Sequence, residues 1–82
     1  MILPIGKVDP ILLKNLVFRY LGSQRKEVVI GPYVGVDAAV LNVGGQLIIF
    51  KIDPITGAYK HQGRLAVNIV SNDIACMGGR PI

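Results

Sequence analysis

The stretch that decides the fold is residues 36–53, VDAAVLNVGGQLIIFKID. Apolar residues fill both halves of this stretch, and the glycine pair Gly44-Gly45 lies between them. Adjacent glycines supply the positive φ angles that tight hairpin turns require. The sequence therefore predicts an antiparallel β-hairpin with strands over Val36–Val43 and Leu47–Asp53. The first strand is apolar on both faces, which implies burial on both sides, and the second is apolar on both faces until Lys51 and Asp53 at its end.

A helix and a short strand are predicted before the hairpin. Asp9 followed by Pro10 is typical of a helix start, because aspartate caps the first turn and proline fits the first helical position. The apolar periodicity continues to about Leu21, and Gly22 ends the helix. A short strand is predicted over Val28–Ile30.

A second, longer helix is predicted after the hairpin and its loop. It runs from about Gly63 to Met77 and ends at the pair Gly78-Gly79. We expect an α+β fold in which an N-terminal helix, an antiparallel sheet and this long helix pack together, with the long helix on the sheet.

Length and composition limit the chain to one small domain. It has 82 residues, of which 51% are hydrophobic. A chain this short buries roughly 60–65% of its unfolded surface, so its own core is marginal. The apolar excess therefore predicts a covering partner, either a second copy or further polypeptide.

Several classes of protein are disfavoured by the same composition. The net charge is +4, but the basic residues are scattered and the aromatic residues are only three Tyr and two Phe, which disfavours nucleic-acid binding. No apolar run approaches the ~20 residues of a membrane span, so no membrane partner is expected. The single cysteine, Cys76, fits a reducing cytoplasm and is expected to pack in the core.

Three aspartates lie in apolar surroundings: Asp37, Asp53 and Asp73. Asp73 shares one face of its helix with Ile69 and Met77, which point toward protein or ligand. An unpaired carboxylate in such a place costs several kcal/mol unless a cation or hydrogen bonds compensate it.

The predicted fold brings these acids toward one end of the hairpin. Asp37 near the start of one strand and Asp53 at the end of its partner should be neighbours, and Asp73 can close a triangle with them. Three carboxylates repel one another without a hard cation, and oxygen ligands with nucleotide phosphates suit Mg²⁺. Asn72 adds a neutral donor and acceptor beside Asp73.

Ordinary structural roles are open for the same residues. Asp37 can cap a turn, Asp53 can form an Asx turn before a proline, and Asp73 can pair with Arg64 or Arg80. Spacing alone does not choose between these roles and a metal site.

Three motifs together carry a resemblance to a known family. They are GVDAAV at residues 35–40, KIDPITGA at residues 51–58, and the helix and glycine turn at residues 63–81 with Asn72-Asp73 inside it. In order and spacing they resemble the N-terminal domain of the aminoimidazole ribonucleotide (AIR) synthase superfamily. The loop at residues 53–58 most resembles AIR synthase-related proteins of the hydrogenase-maturation carbamoyl dehydratase branch.

The resemblance implies a function and a set of site residues. Members dimerise by joining their strands into a β-barrel-like interface, bind ATP and Mg²⁺ near it, and activate an amide, carbamoyl or phosphate oxygen by phosphoryl transfer. The metal-binding acids correspond to Asp37, Asp53 and Asp73, and Lys51 and Asn72 to positions near the nucleotide. The resemblance assigns no catalytic residue.

The chain also departs from the family pattern. Val36 stands where many members carry a further acid, and Lys51 where many have Thr or Ser, so that Lys51 either approaches phosphates or merely pairs with Asp53. The resemblance implies that residues 1–82 are part of the N-terminal domain, that a C-terminal domain completes the enzyme, and that these residues alone have no turnover. The alternative is a non-catalytic dimerisation or scaffold domain without nucleotide.

Overall fold

The computed structural model describes residues 2–82, which form a small α+β arrangement. One helical segment comes before a three-stranded antiparallel sheet, and one long helix follows it. In chain order the elements are α1 Pro10–Leu12, which continues as a π-helical segment Leu13–Val17 and a 3₁₀ segment Phe18–Tyr20, then β1 Val28–Ile30, β2 Ala39–Val43, β3 Gln46–Phe50 and α2 Gln62–Cys76.

The first helical segment begins where the sequence predicts. Asp9 Oδ1 accepts a hydrogen bond from the Ile11 backbone N–H at 2.7 Å, and Pro10 occupies the first turn. Helical geometry ends at Tyr20, and Gly22 follows with φ of +79°. The predicted cap and the glycine stop are confirmed, although most of the segment is π-helical and 3₁₀ rather than α-helical.

The hairpin of β2 and β3 is the centre of the sheet, whose strand order is β1-β2-β3. Gly44 and Gly45 form its turn with φ of +58° and +86°. Asn42 Oδ1 accepts a hydrogen bond from the Gly45 N–H at 3.0 Å, and this side-chain-to-backbone bond closes the turn. The predicted hairpin is confirmed, with Val43 paired to Gln46 beside the turn.

Both hairpin strands are shorter than predicted at the end away from the turn. The last pair of the ladder is Ala39 with Phe50, so Asp37 and Asp53 lie outside the strands. The Val36 N–H donates to the Tyr33 carbonyl at 3.3 Å, so a turn uses the backbone group that a longer strand would have placed in the ladder.

Helix α2 ends in a Schellman motif. The Gly78 N–H donates to the Ala75 carbonyl at 2.9 Å, and the Gly79 N–H donates to the Ile74 carbonyl at 3.0 Å. Gly78 has φ of +83°, the left-handed conformation that this motif demands. The predicted glycine stop is therefore confirmed, and it turns the chain sharply after Cys76.

The fold is open and leaves much apolar surface uncovered. Its radius of gyration is 15.0 Å, against about 12 Å for a compact domain of this length. Its accessible surface is 7190 Å², against about 4,800 Å² for a folded monomer of 8.8 kDa. Within the described residues, the buried hydrophobic side chains are those of Ala38 and Val40.

Two predictions about burial are wrong for this chain. Strand β2 is not buried along both faces, since Asn42 and Val43 are exposed, and β3 is largely exposed as well, because few side chains from α2 reach the sheet. Cys76 is exposed rather than packed in the core. Close contact between the end of α2 and the sheet is seen at Gly79, which lies against Ile49.

Candidate functional site

Three charged side chains meet where β3 ends and α2 passes. Lys51 Nζ lies 3.4 Å from Asp53 Oδ1 and 3.0 Å from Asp73 Oδ2. The three side chains are 20%, 24% and 26% exposed, so they are largely sheltered from water. We call Lys51, Asp53 and Asp73 the Lys51 cluster.

Local chain geometry explains how the Lys51 cluster forms. Lys51 and Asp53 are two residues apart just after the end of β3, and this spacing places side chains on the same side where the chain continues in the strand direction. Asp73 comes from α2, on the helix face that the sequence marked as turned toward protein. Lys51 is therefore the cation that compensates Asp73, and the proposed pairing with Arg64 or Arg80 is not the one that the structure shows.

The ion pairs shift the protonation equilibria of both partners. The hydrogen bond to Asp73 raises the pKa of Lys51, partial burial opposes this shift, and Asp53 adds to it. The hydrogen bond from Lys51, the largest cause, lowers the pKa of Asp73. Both shifts favour the charged forms, so the cluster is held as an ammonium and a carboxylate at neutral pH.

One oxygen of the Lys51 cluster has no partner. Asp53 Oδ2 is buried and makes no hydrogen bond, whereas Asp53 Oδ1 faces Lys51. A buried acceptor left without a partner costs about 1–3 kcal/mol, more if it is charged. The free Asp53 Oδ2 and the Asp73 carboxylate are hard oxygen donors of the kind that Mg²⁺ prefers, so these residues fit that ion chemically.

Asp37 takes a different position from the one expected. It lies in the segment before β2 and is exposed. Within residues 2–82, no three side chains of His, Cys, Asp or Glu are grouped so that they could hold a metal ion. The structure thus brings together Asp53 and Asp73 around Lys51, and it does not add Asp37 to them as a third acid.

Asp37 instead lines a cavity that Lys51 also lines. The cavity has a volume of about 530 Å³, within the range of about 300–1,000 Å³ that is usual for small-molecule pockets. It lies between the first helical segment, the loop before β2 and the end of β3. Its other lining residues are Leu13, Phe18, Gly31, Pro32, Tyr33, Val36, Ala38, Ala39, Phe50 and Ile52.

The remaining site residue of the sequence analysis, Asn72, is exposed on α2. It precedes Asp73 by one helical position, so its side chain leaves the helix about 100° away from that of Asp73. Asn72 is therefore available to solvent or a ligand beside the Lys51 cluster, but it is not part of the ion-pair network.

The match to a known protein family covers the same residues. The family described as AIR synthase related protein, N-terminal domain, matches residues 35–82. The chain belongs to this family. The matched part contains Asp37, all of the Lys51 cluster and Asn72, whereas the first helical segment precedes it. Comparison with curated proteins gave no match, and comparison with solved structures gave none either.

Sequence reasoning on this AIR synthase-related domain missed two features of the site. It paired Lys51 with Asp53 but not with Asp73, since contact between β3 and α2 depends on tertiary structure. It also gave the first helical segment only a packing role, although Leu13 and Phe18 line the cavity. The available signal was the apolar face of that segment, which does not distinguish a cavity wall from a core.

Within residues 2–82, neither α2 nor the first helical segment has the length and apolar character that a transmembrane helix needs.

Proposed function

We propose that this domain binds ATP and Mg²⁺ for an enzyme that activates an amide, carbamoyl or phosphate oxygen by phosphoryl transfer. The observation that supports this most is the Lys51 cluster, in which a lysine pairs with two acids and also lines a cavity of nucleotide-compatible size. Membership of the AIR synthase-related family supports the same proposal.

The acids of the site are the proposed metal ligands. Asp53 and Asp73 present oxygens at one place, and Asp37 presents a further carboxylate on the adjoining cavity wall. When bound there, Mg²⁺ supplies neutralisation of the phosphate charge that builds up during phosphoryl transfer. Val36 has no side-chain oxygen, so it adds no acid to these three.

The other residues of the cavity have binding roles in this proposal. The Lys51 ammonium carries three N–H donors, which suit phosphate oxygens as well as carboxylates. The apolar walls formed by Phe18 and Phe50 suit a purine ring. Asn72 can donate to or accept from a polar group that approaches along α2.

A second copy of the chain is the partner that we propose. Strand β3 lies at one edge of the sheet and presents exposed apolar side chains at Leu47 and Phe50. A free strand edge is a ready template for pairing with another strand. The roughly 2,400 Å² of accessible surface beyond that of a compact monomer is ample for an interface of standard size.

The same exposed surface favours one competing function. A non-catalytic dimerisation or scaffold domain needs the strand edge and its apolar side chains but not the Lys51 cluster. The two functions differ in what Asp53 does, because a scaffold has no use for a partly buried carboxylate with a free oxygen.

Thermal shift separates these two functions. With millimolar ATP and Mg²⁺, the wild-type melting temperature is expected to rise, because a ligand that binds only the folded state stabilises it. Asp53→Asn should abolish most of that rise. Asp9→Asn is the matched control, since asparagine caps a helix as well as aspartate and Asp9 is neither in the Lys51 cluster nor among the residues that line the cavity. If nucleotide moves neither the wild type nor the variants, the domain does not bind ATP and the scaffold function stands.

A further inference from the structure

The ammonium of Lys51 occupies the place between the two acids that the proposed function assigns to a metal ion. Its Nζ contacts one oxygen from each acid, at 3.4 Å from Asp53 and 3.0 Å from Asp73. A divalent ion held by Asp53 and Asp73 would compete with this ammonium for the same carboxylates, because two cations close together repel each other strongly.

Charge counting shows what Lys51 does to the site. Two carboxylates without a partner present a charge of −2, and with the lysine the cluster carries −1. A divalent ion is therefore attracted less strongly while the ammonium stays, and shelter from water makes the difference larger. The resident lysine also removes the repulsion between the carboxylates, so the fold has no need of a metal ion to hold Asp53 beside Asp73.

The structure leaves a route by which the ammonium can leave. The lysine side chain is long and flexible, and it also forms part of the wall of the 530 Å³ cavity. Asp37 lines the same cavity, so an ammonium that turns toward the cavity finds another carboxylate there. Asp53 Oδ2, which has no hydrogen-bond partner, stays available to a metal ion.

We propose that Lys51 is a built-in counter-ion that competes with the divalent cation for Asp53 and Asp73 and thereby sets the divalent-ion affinity of the site. This inference rests on the proposed function, in which those acids bind the metal ion. Neutralising Lys51 should strengthen metal binding, whereas neutralising most lysines near a nucleotide site weakens ligand binding.

The experiment is a titration of the 82-residue chain with Mn²⁺ in the absence of nucleotide, in which free Mn²⁺ is measured by electron paramagnetic resonance. Lys51→Met is the neutral variant, Lys51→Arg keeps the charge, and Lys51→Met combined with Asp53→Asn removes an acid. Circular dichroism checks that each variant is folded, and Lys51→Gln replaces Lys51→Met if the latter is not.

We expect Lys51→Met to bind Mn²⁺ at least tenfold more tightly than the wild type. Its melting temperature should be higher with Mn²⁺ than without it. Lys51→Arg should resemble the wild type, and the double variant should lose the gain. In the wild type, nuclear magnetic resonance should show the Lys51 ε-methylene signals shifting as Mg²⁺ is added, a readout that needs no variant.

Three results would overturn the inference, and they separate it from the proposed function. If the wild type and Lys51→Met bind Mn²⁺ with equal affinity, and the double variant with Asp53→Asn does not bind it, then Lys51 does not compete with the metal ion. The acids remain metal ligands in that case. Absence of Mn²⁺ binding in every chain removes both the competition and the metal site, while ATP binding is judged by the thermal-shift experiment alone. Unmoved Lys51 signals at saturating Mg²⁺ contradict the displacement of the lysine.

Discussion

Lys51 Nζ lies 3.0 Å from Asp73 Oδ2, and this ion pair joins the end of β3 to the later turns of α2. The strands and α2 otherwise share little packing, since the close apolar contact between them lies at Gly79 and Ile49. The Lys51 cluster thus has a structural effect in addition to its proposed role in binding: it fixes where α2 sits relative to the sheet.

Replacing Lys51 by methionine should destabilise the chain in metal-free buffer. The variant leaves Asp53 and Asp73 close together without their cation, and we expect a fall in melting temperature on the order of 5 °C. Lys26→Met is the control, because Lys26 is exposed in the connection before β1, and its melting temperature should stay within about 2 °C of the wild type. Equal melting temperatures for both variants would show that the cluster does not hold α2.

The stability that Asp73 and Lys51 provide should depend on pH at both ends of the scale. The lowered pKa of Asp73 means that its contribution is present above the ordinary value of 3.8 and is lost as pH falls through the folded-state pKa below it. The raised pKa of Lys51 means that its contribution is present below the ordinary value of 10.5 and is lost as pH rises through the folded-state pKa above it.

Melting curves of the wild type and Asp73→Asn over a pH series measure this dependence. The difference in melting temperature between the two chains should be greatest between the two ordinary pKa values and should shrink below 3.8 and above 10.5. A difference that stays constant across the series would mean that the ion pair contributes nothing to stability.

Two glycine-to-alanine changes should have opposite effects. A methyl group at Gly79 would collide with Ile49 Cδ1 and lie 3.0 Å from Ile74 Cγ2, so Gly79→Ala should lower stability by about 1–3 kcal/mol. Gly63 lies in the first turn of α2 with open space around it, so Gly63→Ala should raise stability by up to about 1 kcal/mol. Urea denaturation of both variants checks the signs, and a stable Gly79→Ala variant would mean that the end of α2 does not pack on β3.

A charge on the exposed edge of the sheet should weaken self-association. Leu47 in β3 and Val67 in α2 are both 66% exposed, so Leu47→Lys and Val67→Lys form a matched pair. We expect analytical ultracentrifugation to find a dimer for the wild type and Val67→Lys, and a monomer for Leu47→Lys, because a buried lysine opposes the proposed strand pairing. A dimer that Leu47→Lys leaves intact would place the interface elsewhere.

Local sequence signals predicted the parts of the fold that local physics controls. The Asp9 cap, the Gly44-Gly45 hairpin turn and the end of α2 at Gly78 are confirmed, because each depends on the φ angles or hydrogen bonds of a few adjacent residues. The strand ends near Asp37 and Asp53 were not predicted correctly. They depend on whether a partner strand is present opposite each residue, which an apolar pattern does not reveal.

The site was predictable only in part for the same reason. The apolar surroundings of Asp53 and Asp73 marked them from sequence, and the structure brings them together. The lysine between them was not predicted as a partner of Asp73, because the approach of α2 to β3 is a tertiary contact. Asp37 carried the same sequence signal but lies on the cavity wall, since the chain turns before β2 begins.

Isothermal titration calorimetry with Mg²⁺ and ATP measures whether the Lys51 cluster belongs to a nucleotide and metal site. We predict that the wild type and Asp9→Asn bind the Mg²⁺–ATP complex with the same affinity, and that Asp73→Asn binds it at least tenfold more weakly. Equal affinity in all three chains would show that Asp73 takes no part in binding, and heat of binding in none of them would show that the domain does not bind the complex.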